Sequence, residues 1–418
     1  MKSEILNLSK EKYLVKISLI FIFFFPIILL TGSAIVNSAI VFMNIIFLIH
    51  IFKEKKLQIF NNDFFYLFIT LWFFLIINTL LNDNFTENYS RSFGFIRFVF
   101  LVFLFSYFFS YKDFLFKKTI LNVWVLIFII VSLDLFFEFI FGFNTLGFKN
   151  IFDGRLSGFM GDELKIGHWY LCFSLIILSN FFNKIKKFYL FLFISIIISF
   201  LIGERANFIR LLVAILFLLT ITRNLSFKSL VASIIIFITI FIVINNSEKN
   251  GENALRYRYI DQITNLFKHN SFKEFNDYNS YTPLYFNAYN LYKKNKTLGV
   301  GLGSFYEKSM GNIKKNKTIN GYHILASTHP HQYHFEILAT LGLPGYIIYF
   351  LFFIFFLQKS IRFYFVSNNA INLSSFLFVF VFLIPILPTG SFFTTYGASL
   401  FWLNFSLMNL GNFKNINY

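Results

Sequence analysis

Charge is scarce in this chain of 418 residues. Only 14% are Asp, Glu, Lys or Arg, where a soluble protein carries about a quarter. With 57% hydrophobic residues and a mean hydropathy of +0.65, that shortfall excludes an ordinary soluble globule. Cysteine is nearly missing as well. The single Cys172 lies inside an apolar run, so no intramolecular disulfide can form. The histidines show no recognised metal-ligand spacing, and no cofactor is expected. There is no internal repeat, no heptad run and no cleavable signal. The first apolar run is long, lacks a small-x-small exit and reads as a first membrane helix.

What the chain does have is apolar runs of about 16 to 22 residues, which match a hydrocarbon core of roughly 30 Å. The class is an all-α polytopic membrane protein. About twelve spans are expected, near 13–30, 34–52, 64–81, 95–111, 119–141, 167–182, 187–202, 206–222, 229–245, 335–357, 372–388 and 391–410. The net charge of +17 invites a nucleic-acid reading, but the cations sit in short clusters between apolar runs. Lys53, Lys55 and Lys56 follow the second span, Lys112, Lys117 and Lys118 the fourth, and Lys184, Lys186 and Lys187 the sixth. By the positive-inside rule these clusters, and both termini, lie in the cytoplasm. The chain then divides into 1–245 with nine spans, a periplasmic loop at 246–334, and 335–418 with three spans and a tail. The 67 phenylalanines are read as composition bias.

The outward side should be poor in arginine, yet Arg205 sits there in the hairpin Gly203-Glu204-Arg205. Arg210 lies five residues further on, inside a span, where a guanidinium costs about 2.5–3.5 kcal/mol and so faces a cavity or a partner. Asp134 and Glu138 are the expected partners. A planar fork that keeps its charge suits a diphosphate; an interfacial anchor is the alternative for Arg205. The segment from Arg155 to His168 is punctuated by glycine and carries Asp162 and Glu163, and it reads as a re-entrant loop lining a cavity. Gly299, Gly301 and Gly303 lack the spacing and the strand context of a dinucleotide site, and are read as a tight turn allowing close backbone approach. In the long loop, Tyr281, Leu284, Tyr285, Ala288 and Leu291 form a helical stripe.

Three histidines, His329, His331 and His334, close this loop. Pro330 fits a first helical turn, which would put His331 at the positive end of a helix dipole. There its imidazole stays neutral, as a general base requires, and phosphate oxygens are attracted. His329 is a possible assistant, and His334 is assigned no chemistry.

Taken in order, the Gly203-Glu204-Arg205 hairpin, the long outward loop, its glycine turn at 299–305, and His329-Pro330-His331-Gln332 with Gly342 and Gly345 downstream resemble the O-antigen ligase/polymerase superfamily. The segments 155–163 and 388–393 are similar to members too. The likeness covers roughly residues 150–400. It implies a metal-independent, inverting glycosyltransferase of the bacterial inner membrane. The donor would be a glycan on undecaprenyl diphosphate and the acceptor lipid A–core, or a growing glycan for a polymerase. His331 would take the acceptor proton, with His329 and Gln332 beside it. Arg205 would bind the diphosphate and stabilise the leaving group.

The chain departs from the family at two places. Gln332 stands where Asn is usual. The arginine that many ligases carry shortly before the glycine turn is replaced by the stretch Tyr281–Tyr285. Arg256 and Arg258, earlier in the loop, are the nearest substitutes, and with Arg210 they complete the expected substrate-binding set. A lipid-glycan transporter is the competing class, and a structural membrane component a further one. Polar residues gathered at one face, and halves that do not match, favour an enzyme. The transferase reading requires Arg205 and His331 to meet in the fold.

Overall fold

The computed structural model describes residues 13–82, 85–110, 114–149, 152–161, 163–222, 235, 238–240, 242, 254–266, 268, 271–385 and 387–413. Its first helices are α1 (Tyr13–Ile28), α2 (Ser33–Lys53), α3 (Asp63–Leu80), the short α4 (Phe85–Gly94), α5 (Ile96–Ser110) and α6 (Phe114–Phe141). Three more, α7 (Ile166–Asn180), α8 (Ile185–Leu201) and α9 (Arg205–Ile221), precede a helical stretch at 254–266. Local sequence sets several starts. The Asn62 side chain accepts from the N–H of Phe65 and so caps α3.

Helices stand at every expected span position except the ninth, near 229–245, which lies for the most part outside the described residues. Among the described residues, five helical segments are long and apolar enough to cross a membrane: Ser33–Lys53, Asp63–Leu80, Tyr89–Ser110, Lys117–Phe141 and Tyr333–Ser367. Tyr13–Ile28, Ile166–Asn180 and Ala370–Phe382 are apolar but shorter. This is a membrane protein built of apolar helices.

The long loop contributes α10 (Phe272–Tyr278), α11 (Thr282–Lys294), α12 (Phe305–Lys315) and a hairpin of β1 (Thr318–Ile319) with β2 (Tyr322–His323). The strands pair antiparallel, Thr318 opposite His323 and Ile319 opposite Tyr322. Asn320 and Gly321 turn the hairpin with φ of 51° and 81°, the left-handed pair that a two-residue turn demands. The stripe expected at 281–294 is α11, which buries Leu284, Ala288 and Leu291. Ala288, Leu291, Val300, Phe305 and Ala339 form a small core of their own. It is pinned by buried Asn287, whose amide donates to the Ser309 hydroxyl at 2.9 Å and accepts from Asn312 at 2.9 Å.

Three helices complete the chain: α13 (Tyr333–Ser367), α14 (Ala370–Phe382) and α15 (Thr395–Met408). Helices α5, α7 and α15 are buried nearly all round, as expected of helices apolar on every face. The outer helices expose large side chains such as Leu126, Leu133 and Leu351, the surface a bilayer would cover. Short polar contacts tie the inner helices together. Ser106 and Ser406 hydroxyls meet at 2.9 Å, and the Asn404 amide donates to Cys172 Sγ at 3.0 Å. Helix α14 stops at Phe382, before the expected end near 388, because Pro385 and Pro388 cannot continue it. The freed segment 383–394 becomes a loop that carries part of the site.

Helix α13 is broken. Gly342 has φ 69° and ψ −173°, a conformation open essentially to glycine alone. The glycine turn fits into this break. Val300 donates its N–H to the Ala339 carbonyl at 2.8 Å, Gly301 to Thr340 at 3.0 Å, and Leu343 to Lys296 at 2.8 Å. Backbone groups orphaned by the break are thereby paired. A Cβ on Gly299 would lie 2.3 Å from the Thr340 backbone, and one on Gly342 2.4 Å from the Thr297 carbonyl. Close backbone approach is what Gly299 and Gly342 permit, while Gly301 faces the Asn82 side chain.

Candidate functional site: an arginine hairpin and a histidine segment

The turn between α8 and α9 places Glu204 and Arg205 at the end of the bundle. Gly203, at φ 75°, lets the segment around Gly154 press against it; a Cβ there would meet the Gly154 carbonyl oxygen. Leu156 N–H donates to the Ile202 carbonyl at 3.1 Å, so the 155–160 loop is stitched to the hairpin. The same loop is held from below by α6. Glu138 accepts from the N–H groups of Ser157 and Gly158 at 3.1 and 2.7 Å, and Asp134 accepts from Thr145. These carboxylates hold loops and do not meet Arg210, contrary to the sequence expectation.

Three arginines converge on the hairpin. Arg205 Nη1 donates to the carbonyl of Arg258 at 3.1 Å, and Arg258 Nε donates to the carbonyl of Gly203 at 3.1 Å. Arg155 Nη2 pairs with Glu204 Oε1 at 2.9 Å. Burial, then the charges of Arg155 and Arg205, push Arg258 down to about 10, so it stays a cation at neutral pH. Burial pushes the Glu204 carboxyl up, and Arg155 draws it back. Among the described residues the positive charge is only partly answered, which leaves room for an anion. Arg256 is exposed. Asp162 lies outside the described residues, and Glu163 pairs with Lys165 at 2.9 Å on the surface.

Arg210 is fully buried and occupied. Its Nη2 donates to the carbonyls of Leu387 and Pro388 at 3.0 and 2.7 Å, and its Nη1 to Asn207 Oδ1 at 3.2 Å. The guanidinium also stacks on Phe382, 4.8 Å from the ring centre. It ties α9 to the 383–394 loop.

That loop reaches the histidines. Thr389 N–H donates to the carbonyl of His331 at 2.7 Å. Helix α13 begins at Tyr333, capped by the Gln332 side chain, which accepts from Phe335 N–H at 3.1 Å and donates to the Pro385 carbonyl at 2.9 Å. Pro330 therefore precedes the cap, and both ends of the buried Gln332 amide are spent on structure. His331 itself has φ 56°. Its ring packs 4.0 Å from that of His329 and 5.9 Å from Tyr281, with Nε2 3.4 Å from the Ser327 hydroxyl. Burial lowers the pKa of His331. His329 falls to about 3 through burial, aided by His331, Arg91 and Lys165. Both rings are neutral at physiological pH. His334 bonds Tyr346 and the Leu383 carbonyl at 3.0 and 2.8 Å, away from this pair.

Among the described residues Arg205 and His331 do not touch; hairpin and histidines are linked only indirectly, through the chain of Glu204, Asn207, Arg210, the 387–389 backbone and His331. Sequence reasoning missed His168 in that chain. It lies on α7 against Asn207 at 3.1 Å, within electrostatic reach of both Arg155 and His329. Nothing in its local sequence marks it; only the fold brings it in.

A membrane protein with cations and neutral histidines at one end of its bundle is the class defined so far. Residues 190–350 match the family model described as O-antigen ligase, a stretch running from α8 through the hairpin, the glycine turn and the histidine segment into α13. The match makes this stretch, less than half of the chain, similar to that family. No curated protein matches the chain.

Proposed function

We propose that this chain is an O-antigen ligase-like glycosyltransferase of the bacterial inner membrane. It moves a glycan from undecaprenyl diphosphate to a sugar hydroxyl of lipid A–core at the periplasmic face. The observation that carries the reading is the lodging of Arg258 against the hairpin beside Arg205. Many ligases carry a second arginine just before the glycine turn. Arg258 supplies a cation at the hairpin from a different point in the chain.

Arg205 and Arg258 bind the diphosphate through charge-assisted hydrogen bonds and neutralise the charge that grows as it departs. The acceptor hydroxyl attacks the anomeric carbon opposite the diphosphate, with inversion. His331 takes its proton, which the ring can do because it is neutral. His329 packs against His331 and sets its orientation. No metal is needed for the departure, since a lipid diphosphate is already a good leaving group. Both termini lie in the cytoplasm, with the loop at 246–334 outside.

His331→Ala should abolish transfer while expression and topology persist; product at wild-type level would end the assignment. Arg205→Lys keeps charge but loses the fork, and strong loss is expected. The stretch Tyr281–Tyr285 in place of a family arginine favours polymerase as a second reading. A deletion strain separates them. A ligase defect leaves polymer on undecaprenyl lipid and uncapped core; a polymerase defect leaves single repeat units on the core.

A further inference from the structure

Arg155 Nε, His168 Nε2 and His329 Nε2 are buried and have no hydrogen-bond partner among the described residues. An unpaired buried polar group is costly, so three of them around one cationic site mark a place kept for substrate oxygens. His168 is the most informative, because its proton can be placed. Arg210 carries only donors, and its contact with Asn207 Oδ1 fixes which way that amide faces. Asn207 Nδ2 then donates to Glu204 Oε2 and to His168 Nδ1. His168 Nδ1 is therefore an acceptor, the ring is neutral, and its one proton sits on Nε2.

That N–H faces Gly390. A Cβ added to Gly390 would have His168 Nε2, 3.8 Å away, as its one neighbour within 4 Å. The position beside Gly390 is uncrowded, whereas the donor atom itself is closed to solvent. Thr389, the preceding residue, holds the His331 carbonyl, so the space adjoins the histidine segment. Arg155, Arg210 and Lys165 act on His168 electrostatically, and the Glu204 carboxylate stands 3.8 Å from its inner nitrogen. The surroundings favour an anionic oxygen.

The geometry points to His168 as a catalytic residue. Its Nε2–H donates to the oxygen of the lipid diphosphate at the bond being broken, when that diphosphate enters beside Gly390. This rests on the glycosyl transfer proposed above. The bond from the anomeric carbon to that oxygen breaks, and its electron pair leaves with the diphosphate. The acceptor oxygen bonds the same carbon and gives its proton to His331. His168 keeps its own proton while its hydrogen bond tightens on the growing charge. A preset donor of this kind contributes about 10²–10³-fold to turnover.

The test pairs two substitutions in the full-length chain, reconstituted in vesicles with glycolipid donor extracted from the producing membranes. His168→Asn keeps an acceptor for Asn207 but loses the outer N–H. His168→Gln keeps a donor near the Nε2 position. Turnover should fall about 10²–10³-fold in the Asn variant with acceptor KM unchanged, and the Gln variant should restore most of it. A purely structural role predicts the reverse order. Gly390→Val fills the space at a residue whose φ is not left-handed, and should raise donor KM without lowering the melting temperature. Wild-type turnover in the Asn variant, no rescue by Gln, or an unchanged donor KM in Gly390→Val overturns the role of His168. Arg205→Ala and His331→Ala run alongside: if they too are fully active, the transferase reading itself fails; if they are dead, only the inference on His168 does.

Discussion

His331 combines a left-handed backbone, a ring kept neutral by burial and a carbonyl gripped by Thr389. A non-glycine residue in that region is strained by about 1–3 kcal/mol and persists only where its surroundings hold it. Its lowered pKa has two consequences with a definite sign. The neutral base survives below pH 6.5, so the acid limb of the pH–rate profile should lie below the ordinary histidine value; a limb at or above it would argue against His331 as base. For stability, His329 binds its proton at about 3 when folded and near 6.5 when unfolded. The unfolded chain binds more protons between these values, so stability should be flat above about pH 6.5 and fall as pH drops toward 3. Melting curves across that window check it. The arginines divide in the same way. Arg210→Ala strands the carbonyls of Leu387 and Pro388 and should lower the melting temperature sharply, whereas Arg205→Ala should spare stability and remove activity. Arg205 and His331 stood out as anomalies of composition: an arginine on the side expected to face outward, a histidine cluster beside a helix. Arg258 was legible only as a substitute for a missing family arginine, and His168 was given no role, because no local pattern announces a side chain that arrives through tertiary packing. Arg210 and Gln332 stood out for the same reasons as their neighbours, yet they are taken up by backbone groups and, for Arg210, by the Asn207 side chain as well.

At the level of elements, the break in α13 and the glycine turn that fills it act as one unit. Gly342→Ala should cost at least about 1–3 kcal/mol, since neither its φ and ψ nor the space beside the Thr297 carbonyl admits a Cβ. Gly311 is the control. It lies within α12 with nothing near its missing Cβ, and Gly311→Ala should raise stability by about 0.5–1 kcal/mol. Thermal melts in detergent separate the two. The sequence announced the glycine turn but not its seat, because a broken helix and an unbroken one share the same apolar run.

For the whole molecule, hydropathy located the helices because a run that is apolar on every face has few other fates. It could not rank them: α5, α7 and α15 are enclosed by protein, while α2 and α6 present a face that a bilayer would cover, and both kinds read alike in composition. The end of α14 was legible only through its prolines. The proposed orientation is checked by reporter fusions at residues 185 and 290, which should report opposite compartments; a shared compartment would reverse the assignment of the loop to the periplasm.

The lone thiol of Cys172 is sealed between α7 and α15. The native chain is therefore already silent toward water-borne maleimides. A cysteine placed at any exposed position becomes a unique handle without removing anything first. Spin labels set in pairs around the hairpin and the 383–394 loop can then follow, in a working membrane, whether the gap between arginines and histidines narrows when a lipid-linked glycan arrives.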